Sequence, residues 1–160
     1  MFKKGIIWNK KGVNKVYLYN VGDENNALTG GWSARRYSGS YTTPTLTKNA
    51  GDMVLSGTYP QTGFAYAVNA IDLTNYTKLC YEVANVISSN GVQKAYASVI
   101  NAAVDSPTFY LNSGFTITTT TTIYEYDISA LNVTGIVSFY EDSSGPGITA
   151  STKILRIWLE

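Results

Sequence analysis

Apolar and polar residues alternate with a period of two along most of the chain. In "KVYLYN", Val16 and Leu18 share one side while Tyr17 and Tyr19 share the other. Met53 and Leu55 fall on one face of "DMVLSG", Phe64, Tyr66 and Val68 on one face of "GFAYAVN", and Leu79, Tyr81 and Val83 on one face of "KLCYEVANV". The pattern returns in "GFTIT", "TIYEYDI" and "GIVSFYE". It closes in "KILRIWLE", where Leu155, Ile157 and Leu159 alternate with Ile154, Arg156 and Trp158. A β-strand sends successive side chains to opposite faces, so this period predicts strands with two unlike faces. The abundant Tyr, Thr, Val and Ile suit a pleated surface.

Turn-forming clusters cut these runs at short intervals: "VGDENN", "TGG", "NAGD", "YPQTG", "SSNG", "NSG" and "SSGPG". About eight to ten short strands so spaced predict an all-β, antiparallel sandwich or barrel. Residues 1–160 form one domain, with 1–12 as an N-terminal arm or edge strand. Three segments test the pattern. "VQKAYASVINAAVD", Val92 to Asp105, has apolar residues at both two- and four-residue spacings; it reads as a strand, with a helix as the alternative. "TTTTT", Thr118 to Thr122, reads as a solvated strand or hairpin loop rather than disorder. "AIDLTNYTKL" puts Asp72 where a short helical turn or an Asx turn precedes the next strand.

Composition removes several classes of chemistry. Twelve Lys and Arg against eleven Asp and Glu leave a net charge of +1, too little to draw in nucleic acid or anionic lipid. No apolar run approaches the length of a membrane span, and no secretory signal is visible. The absence of histidine removes the commonest general base and metal ligand. The lone Cys80 cannot form an internal disulfide and reads as a buried small apolar side chain. Charged residues are only 14% of the chain, so hydroxyls and amides must supply solubility, as on extracellular or particle-bound β proteins.

Binding chemistry concentrates after the first strand. "GDENNALTGGW" offers oxygen donors in Asp23, Glu24, Asn25 and Asn26, the type calcium prefers, but without the spacing of a dedicated calcium loop. The simpler reading is a turn in which the acids and amides satisfy loop backbone and Gly30 and Gly31 take positive φ. Trp32, Arg35, Arg36, Tyr37 and Tyr41 follow closely in "GGWSARRYSGSY". Aromatic rings meet the C–H faces of sugars, and Arg forks meet hydroxyls or a sugar carboxylate. Tyr59 and Tyr66, flanking "PQTG", extend that set. For Trp32 the competing reading is a core plug at the start of a strand. "KKGIIWNKKG" reads as a solvated edge or an assembly contact.

Three phrases resemble jelly-roll modules of tail and fibre-associated proteins from phages and prophages of Gram-positive bacteria. They are "YLYNVGDENNALTGGW", "IDLTNYTKLCYEV" and "YDISALNVTGIVSFYEDSSGPG…ILRIWLE". The second and third also resemble carbohydrate-binding-module jelly rolls. The resemblance implies jelly-roll topology and display on a virion or particle surface. It also implies a cell-surface glycan or receptor as partner. No cofactor is expected beyond a structural calcium between an early loop and the last strand, which would involve Glu160. The alternative is a structural or decoration subunit whose aromatic surface contacts a second copy or other particle proteins.

Catalysis finds no support in residue order. A glycosidase needs two carboxyl groups across a cleft. Asp52, Glu82, Asp105, Glu125, Asp127, Glu141 and Asp142 are available, yet no spacing singles out a pair. The expectation is a non-catalytic recognition module.

Overall fold

The computed structural model describes residues 7–8, 14–21, 27–28, 30–58, 63–88, 93–142 and 149–160. The extended segments are β1 (Ile7–Trp8), β2 (Asn14–Tyr19), β3 (Trp32–Arg36), β4 (Thr45–Lys48), β5 (Met53–Thr58), β6 (Gly63–Ala67) and β7 (Ile71–Asp72). They continue with β8 (Lys78–Ser88), β9 (Gln93–Ile100), β10 (Phe109–Ile117), β11 (Thr122–Asp127), β12 (Thr134–Asp142) and β13 (Thr149–Leu159). All pairings are antiparallel, in one seven-stranded and one six-stranded sheet. The two-sheet, all-β expectation is met.

More strands appear than the spacing of turns suggested, because two long strands each serve two shorter partners along one edge. β13 pairs with β8 on one side; on the other, Thr149–Ile154 pairs with β5 and Ile157–Leu159 with β2. β12 has β9 on one side, with β7 and β6 sharing the other. The seven-stranded sheet therefore runs β11-β8-β13 and then divides into β5-β4 and β2-β1. The six-stranded sheet runs β10-β9-β12-β6-β3, with β7 beside the start of β12.

The interior is filled from both sheets. Met53, Leu55, Leu79, Tyr81, Val83, Ile154, Ile157 and Leu159 meet Ala65, Ala67, Ala95, Ala97, Val99, Val137 and Phe139. Small residues on β6 and β9 (Ala65, Ala67, Ala95 and Ala97) share this interior with the larger side chains of the other sheet. Two polar groups fasten the layers. Tyr81 Oη donates to Ser138 O across the sandwich at 2.9 Å, and burial raises its pKa well above the usual tyrosine value. Trp32 Nε1 donates to Leu18 O at 3.1 Å, tying β3 to β2.

Several segments depart from strict alternation. A register shift between Ile154 and Arg156 turns the last strand over, so Ile154 and Ile157 both face the core and Leu155 does not. Another shift, between Ile157 and Trp158, lets Leu18 and Tyr19 both enter the core, whereas alternation had sent Tyr19 outward. Val92 lies outside the described residues; of the rest of that segment, Gln93–Ile100 is strand, with Ala95, Ala97 and Val99 inward, and Asn101–Asp105 belongs to a connection. Thr118–Thr121 carries the chain from β10 in one sheet to β11 in the other. There Phe115 and Tyr124 stack at 4.2 Å and close the sandwich edge. Asp72 forms the Asx turn, accepting from Thr74 N at 3.0 Å and Thr74 Oγ1 at 2.7 Å. Of the two glycines before Trp32, Gly31 has φ 74°. Gly30 is not among the positive-φ residues; a Cβ there would displace the exposed Asn69 side chain, whose Nδ2 would lie 2.5 Å away.

The turn between β4 and β5 is fixed by Asp52, which accepts from Asn49 Nδ2 at 2.7 Å and pairs with Lys153 Nζ at 2.8 Å. The Asn49 hydrogen bond, then Lys153, hold its pKa below the ordinary 3.8. A depressed folded pKa means that the contribution is complete above the ordinary value and is lost as pH falls through the folded one. Lys153→Met should therefore flatten the decline in melting temperature on acidification below about pH 4, measured against wild type in the same buffers.

Candidate functional site

The outer face of the six-stranded sheet carries the densest aromatic cluster in the described residues. Ala34, Ala65, Phe139 and Ala95 point into the core, so their chain neighbours Arg35, Phe64, Tyr140 and Tyr96 point out. Cross-strand register then aligns them. Arg35 opposes Phe64, Phe64 opposes Tyr140, Tyr140 opposes Tyr96, and Tyr96 opposes Gly114. One row runs across five strands, at right angles to them. At ~4.8 Å between strands it spans roughly 19 Å. A second row beside it reads Ser33, Tyr66, Ser138, Ser98 and Asn112.

Ring spacings show a continuous surface. Phe64 and Tyr140 lie 5.0 Å apart, Tyr140 and Tyr96 5.2 Å. Tyr37 packs over both Phe64 (6.0 Å) and Tyr140 (5.4 Å), and Tyr41 stands edge-on to Tyr37 at 6.4 Å. Phe109 reaches Phe64 at 6.0 Å. Centroid separations of this kind are those of attractive aromatic pairs. In the second row Ser98 Oγ donates to Asn112 Oδ1 at 3.0 Å.

The two ends of the row differ. At the β3 end Phe64 is only 1% exposed. At the β10 end the surface opens into a cleft of about 270 Å³ lined by Lys94, Tyr96, Gly114, Phe115 and Thr116. Gly114 leaves room for the neighbouring ring: a Cβ there would come within 2.9 Å of Tyr96 Cε1. Gly114→Ala should tilt Tyr96 away and weaken ligand binding several-fold, because only a flexible side chain must yield. Its melting temperature should stay within a few degrees of wild type; calorimetric titration and thermal denaturation separate the two effects.

The residues singled out from sequence are partly gathered here. Arg35, Tyr37, Tyr41 and Tyr66 belong to this face, and Arg36 reaches it through Asp105. Trp32 does not. It is 2% exposed and takes the core-plug role, so the contact reading for it is corrected. Tyr59 lies outside the described residues, as do Asp23, Glu24 and Asn25. The two arginines are not a vacant fork for a sugar carboxylate: Asp105 already sits between them, 2.9 Å from Arg36 Nε and 3.5 Å from Arg35 Nε. Tyr96, Tyr140, Phe64 and Phe109 were missed, although "KAYAS" and "SFYED" place Tyr96 and Tyr140 on the side opposite their Ala and Phe neighbours. That parity was the available signal.

Glu160 does not suit a calcium shell. Its Oε1 accepts from Trp158 Nε1 at 2.9 Å and pairs with Lys15 Nζ at 3.2 Å, while Lys15 also lies over the Trp158 ring. Burial opposes its charge, but the indole and the ammonium outweigh that and hold its pKa below the usual value. Among the described residues no three Asp, Glu or Cys side chains form a metal-binding group.

Four of the candidate acids are taken up by ion pairs. Glu82 is matched to Arg156 and Glu125 to Lys78 in the seven-stranded sheet, Asp52 to Lys153, and Asp105 to the arginines. Donation from Asn49, Thr74 and Ser129 lowers the pKa of Asp52, Asp72 and Asp127 respectively. A general acid needs the opposite displacement. A second cleft, of about 390 Å³, lies beside Thr77, Lys78, Glu125, Tyr126, Asp127 and Ser129, but its charged groups are already engaged with one another or with backbone.

No family model matches the chain, and no curated protein matches it. Solved structures do. A single-substitution variant of a family 29 carbohydrate-binding module is similar with a TM-score of 0.60, at 13% identity, over 92% of each chain. Another variant of that module, complexed with mannohexaose, gives 0.54 at 13% identity over 91% of this chain and 89% of that one. The fold is the one these modules share. The apo form of BiXyn10A CBM1 gives 0.51 at 15% identity over 81% of this chain and 88% of that one. At such identities the likeness speaks for the jelly-roll sandwich.

Proposed function

We propose that this chain is a non-catalytic glycan-binding module whose ligand lies over the open part of the row, from Tyr140 to Tyr96 and Gly114. The observation that carries this reading is the register itself: four strand pairings bring outward rings and Gly114 into one line on one sheet face. Such a line suits an extended glycan chain, whose C–H faces lie on rings while its hydroxyls reach flanking polar groups. Those groups are Asn112, Thr116, Lys94 and Tyr66. Asp105 takes up the Nε groups of Arg35 and Arg36, so the pair offers no vacant fork for a sugar carboxylate. The mannohexaose complex of a structurally similar module supports the ligand class. Display on a phage or prophage particle belongs to the same proposal and is supported by the wording of the three sequence phrases.

A glycan array probed with wild type, Tyr96→Ala and Arg36→Ala tests the reading. Selective signal from wild type, lost with Tyr96→Ala, is the expected result. A blank array from folded wild-type protein would overturn it. If the aromatic face is instead an assembly surface, light scattering will show an oligomer that Tyr96→Ala dissociates.

A further inference from the structure

Asn101–Thr108, which joins β9 to β10, is closed at its base, where Asn101 N donates to Thr108 O and Thr108 N to Asn101 Oδ1, each at 3.0 Å, but its tip extends away from the hairpin. It reaches β3, three strands away in the sheet order. Ser106 N donates to Tyr37 O at 2.8 Å, Asp105 pairs with both Arg36 and Arg35, and Pro107 is buried. Ser106 adopts φ 53°, a conformation that most side chains avoid, at the point where this strap turns back. Beneath it the sheet's outer face is dry. Ser98 and Ser138 are fully buried and Ile100 is 1% exposed, although their neighbours Ala97, Val99, Val137 and Phe139 place them on the side away from the core. At the β3 end of the aromatic row Phe64, packed by Tyr37 and Phe109, is covered, while the Tyr96–Gly114 end is open.

We infer that Asp105, held between Arg35 and Arg36, clasps the strap across one end of the aromatic row and thereby sets the length of glycan the face accepts. The inference rests on the glycan reading above. The open portion, from β10 to β12, spans two strand spacings, roughly 10 Å, the reach of a disaccharide. Beyond it a growing sugar chain meets the strap and Tyr37. The clasp depends on one carboxylate. Arg36 Nε donates to Asp105 Oδ2 at 2.9 Å, and Arg35 Nε lies 3.5 Å from Asp105 Oδ1 without a hydrogen bond. All three side chains keep 30–43% exposure, where one ion pair alone is weak, so the strap is held by both pairs together. One substitution should release it.

Two measurements decide the point. Amide exchange at Ser106 reads the clasp without any sugar: protection in wild type should fall at least tenfold in Asp105→Asn and return in Asp105→Glu. Titration with cello- and manno-oligosaccharides, from the disaccharide to the hexasaccharide, reads the cap. Wild-type affinity should level off within about twofold beyond the disaccharide, whereas Asp105→Asn should gain ~10-fold by the hexasaccharide, the equivalent of ~1.4 kcal/mol. Arg36→Gln, which frees the strap from the other partner, should behave alike if Asp105→Asn folds poorly. Unchanged Ser106 protection in both variants overturns the clasp. Lost protection with an unchanged length profile overturns the cap. Binding of neither ladder by any of the proteins overturns the cap, and together with a blank array it removes the glycan reading, while Ser106 exchange still judges the clasp.

Discussion

Tyr96→Ala and Tyr140→Ala should each weaken glycan binding by ~30-fold, or about 2 kcal/mol, with far smaller changes in melting temperature. Both rings lie on the outer face and are half-buried, so they are accessible to a ligand yet held in place by one another at 5.2 Å. Rings fixed in this way lose little side-chain freedom when a sugar settles on them, which is why truncation is costly. Removing Tyr140 also unseats Tyr37 and Phe64, which pack against it. Its loss should therefore exceed that of Tyr96, and the two should be less than additive in the double variant. Calorimetric titration with the best array ligand measures this. Equal affinity in wild type and both variants would displace the ligand from this face. Trp32→Ala is a useful contrast: its indole is in the core, so the chain should lose stability rather than selectivity.

The largest stability effect is expected at Phe139. Its ring is fully buried between Tyr81 at 6.2 Å and Phe115 at 6.1 Å, where the two sheets meet. Phe139→Ala should cost ~3–5 kcal/mol, lowering the melting temperature by roughly 6–20 °C for a domain of this size. Phe139→Leu should cost much less, since most of the volume is retained. The substitution also reports on the site, because Phe139 lies between Ser138 and Tyr140 on β12. A cavity below the strand should loosen Tyr140 above it, so glycan affinity should fall at temperatures where the variant remains folded. Urea unfolding followed by near-ultraviolet circular dichroism gives the first quantity and titration the second.

Much of this molecule is legible in its residue order. Met53 and Leu55, or Leu79, Tyr81 and Val83, alternate so regularly that their inward face needs no coordinates. Turn residues at short intervals imply antiparallel neighbours, and the Asx turn at Asp72 follows from local side-chain chemistry. Alternation misled where a register shift reset the parity, at Ile154–Arg156 and beside Tyr19. A bulge leaves little mark in composition. The aromatic row is only half legible. Arg35, Tyr37 and Tyr41 are close in sequence and form a visible group, whereas Tyr96 and Tyr140 come from separate strands.

By itself the sequence determined the period, and with it an interior enclosed by strands and a surface rich in hydroxyls and amides. Those properties depend on neighbours one or two positions away, which a linear pattern records. Only the tertiary structure decided which strands lie side by side. Pairing across long separations places Phe64, Tyr140, Tyr96 and Gly114 in one line and lays Asp105 between two arginines. The free energy that selects those pairings comes from packing two whole sheets together, a sum over many distant contacts that no single segment carries.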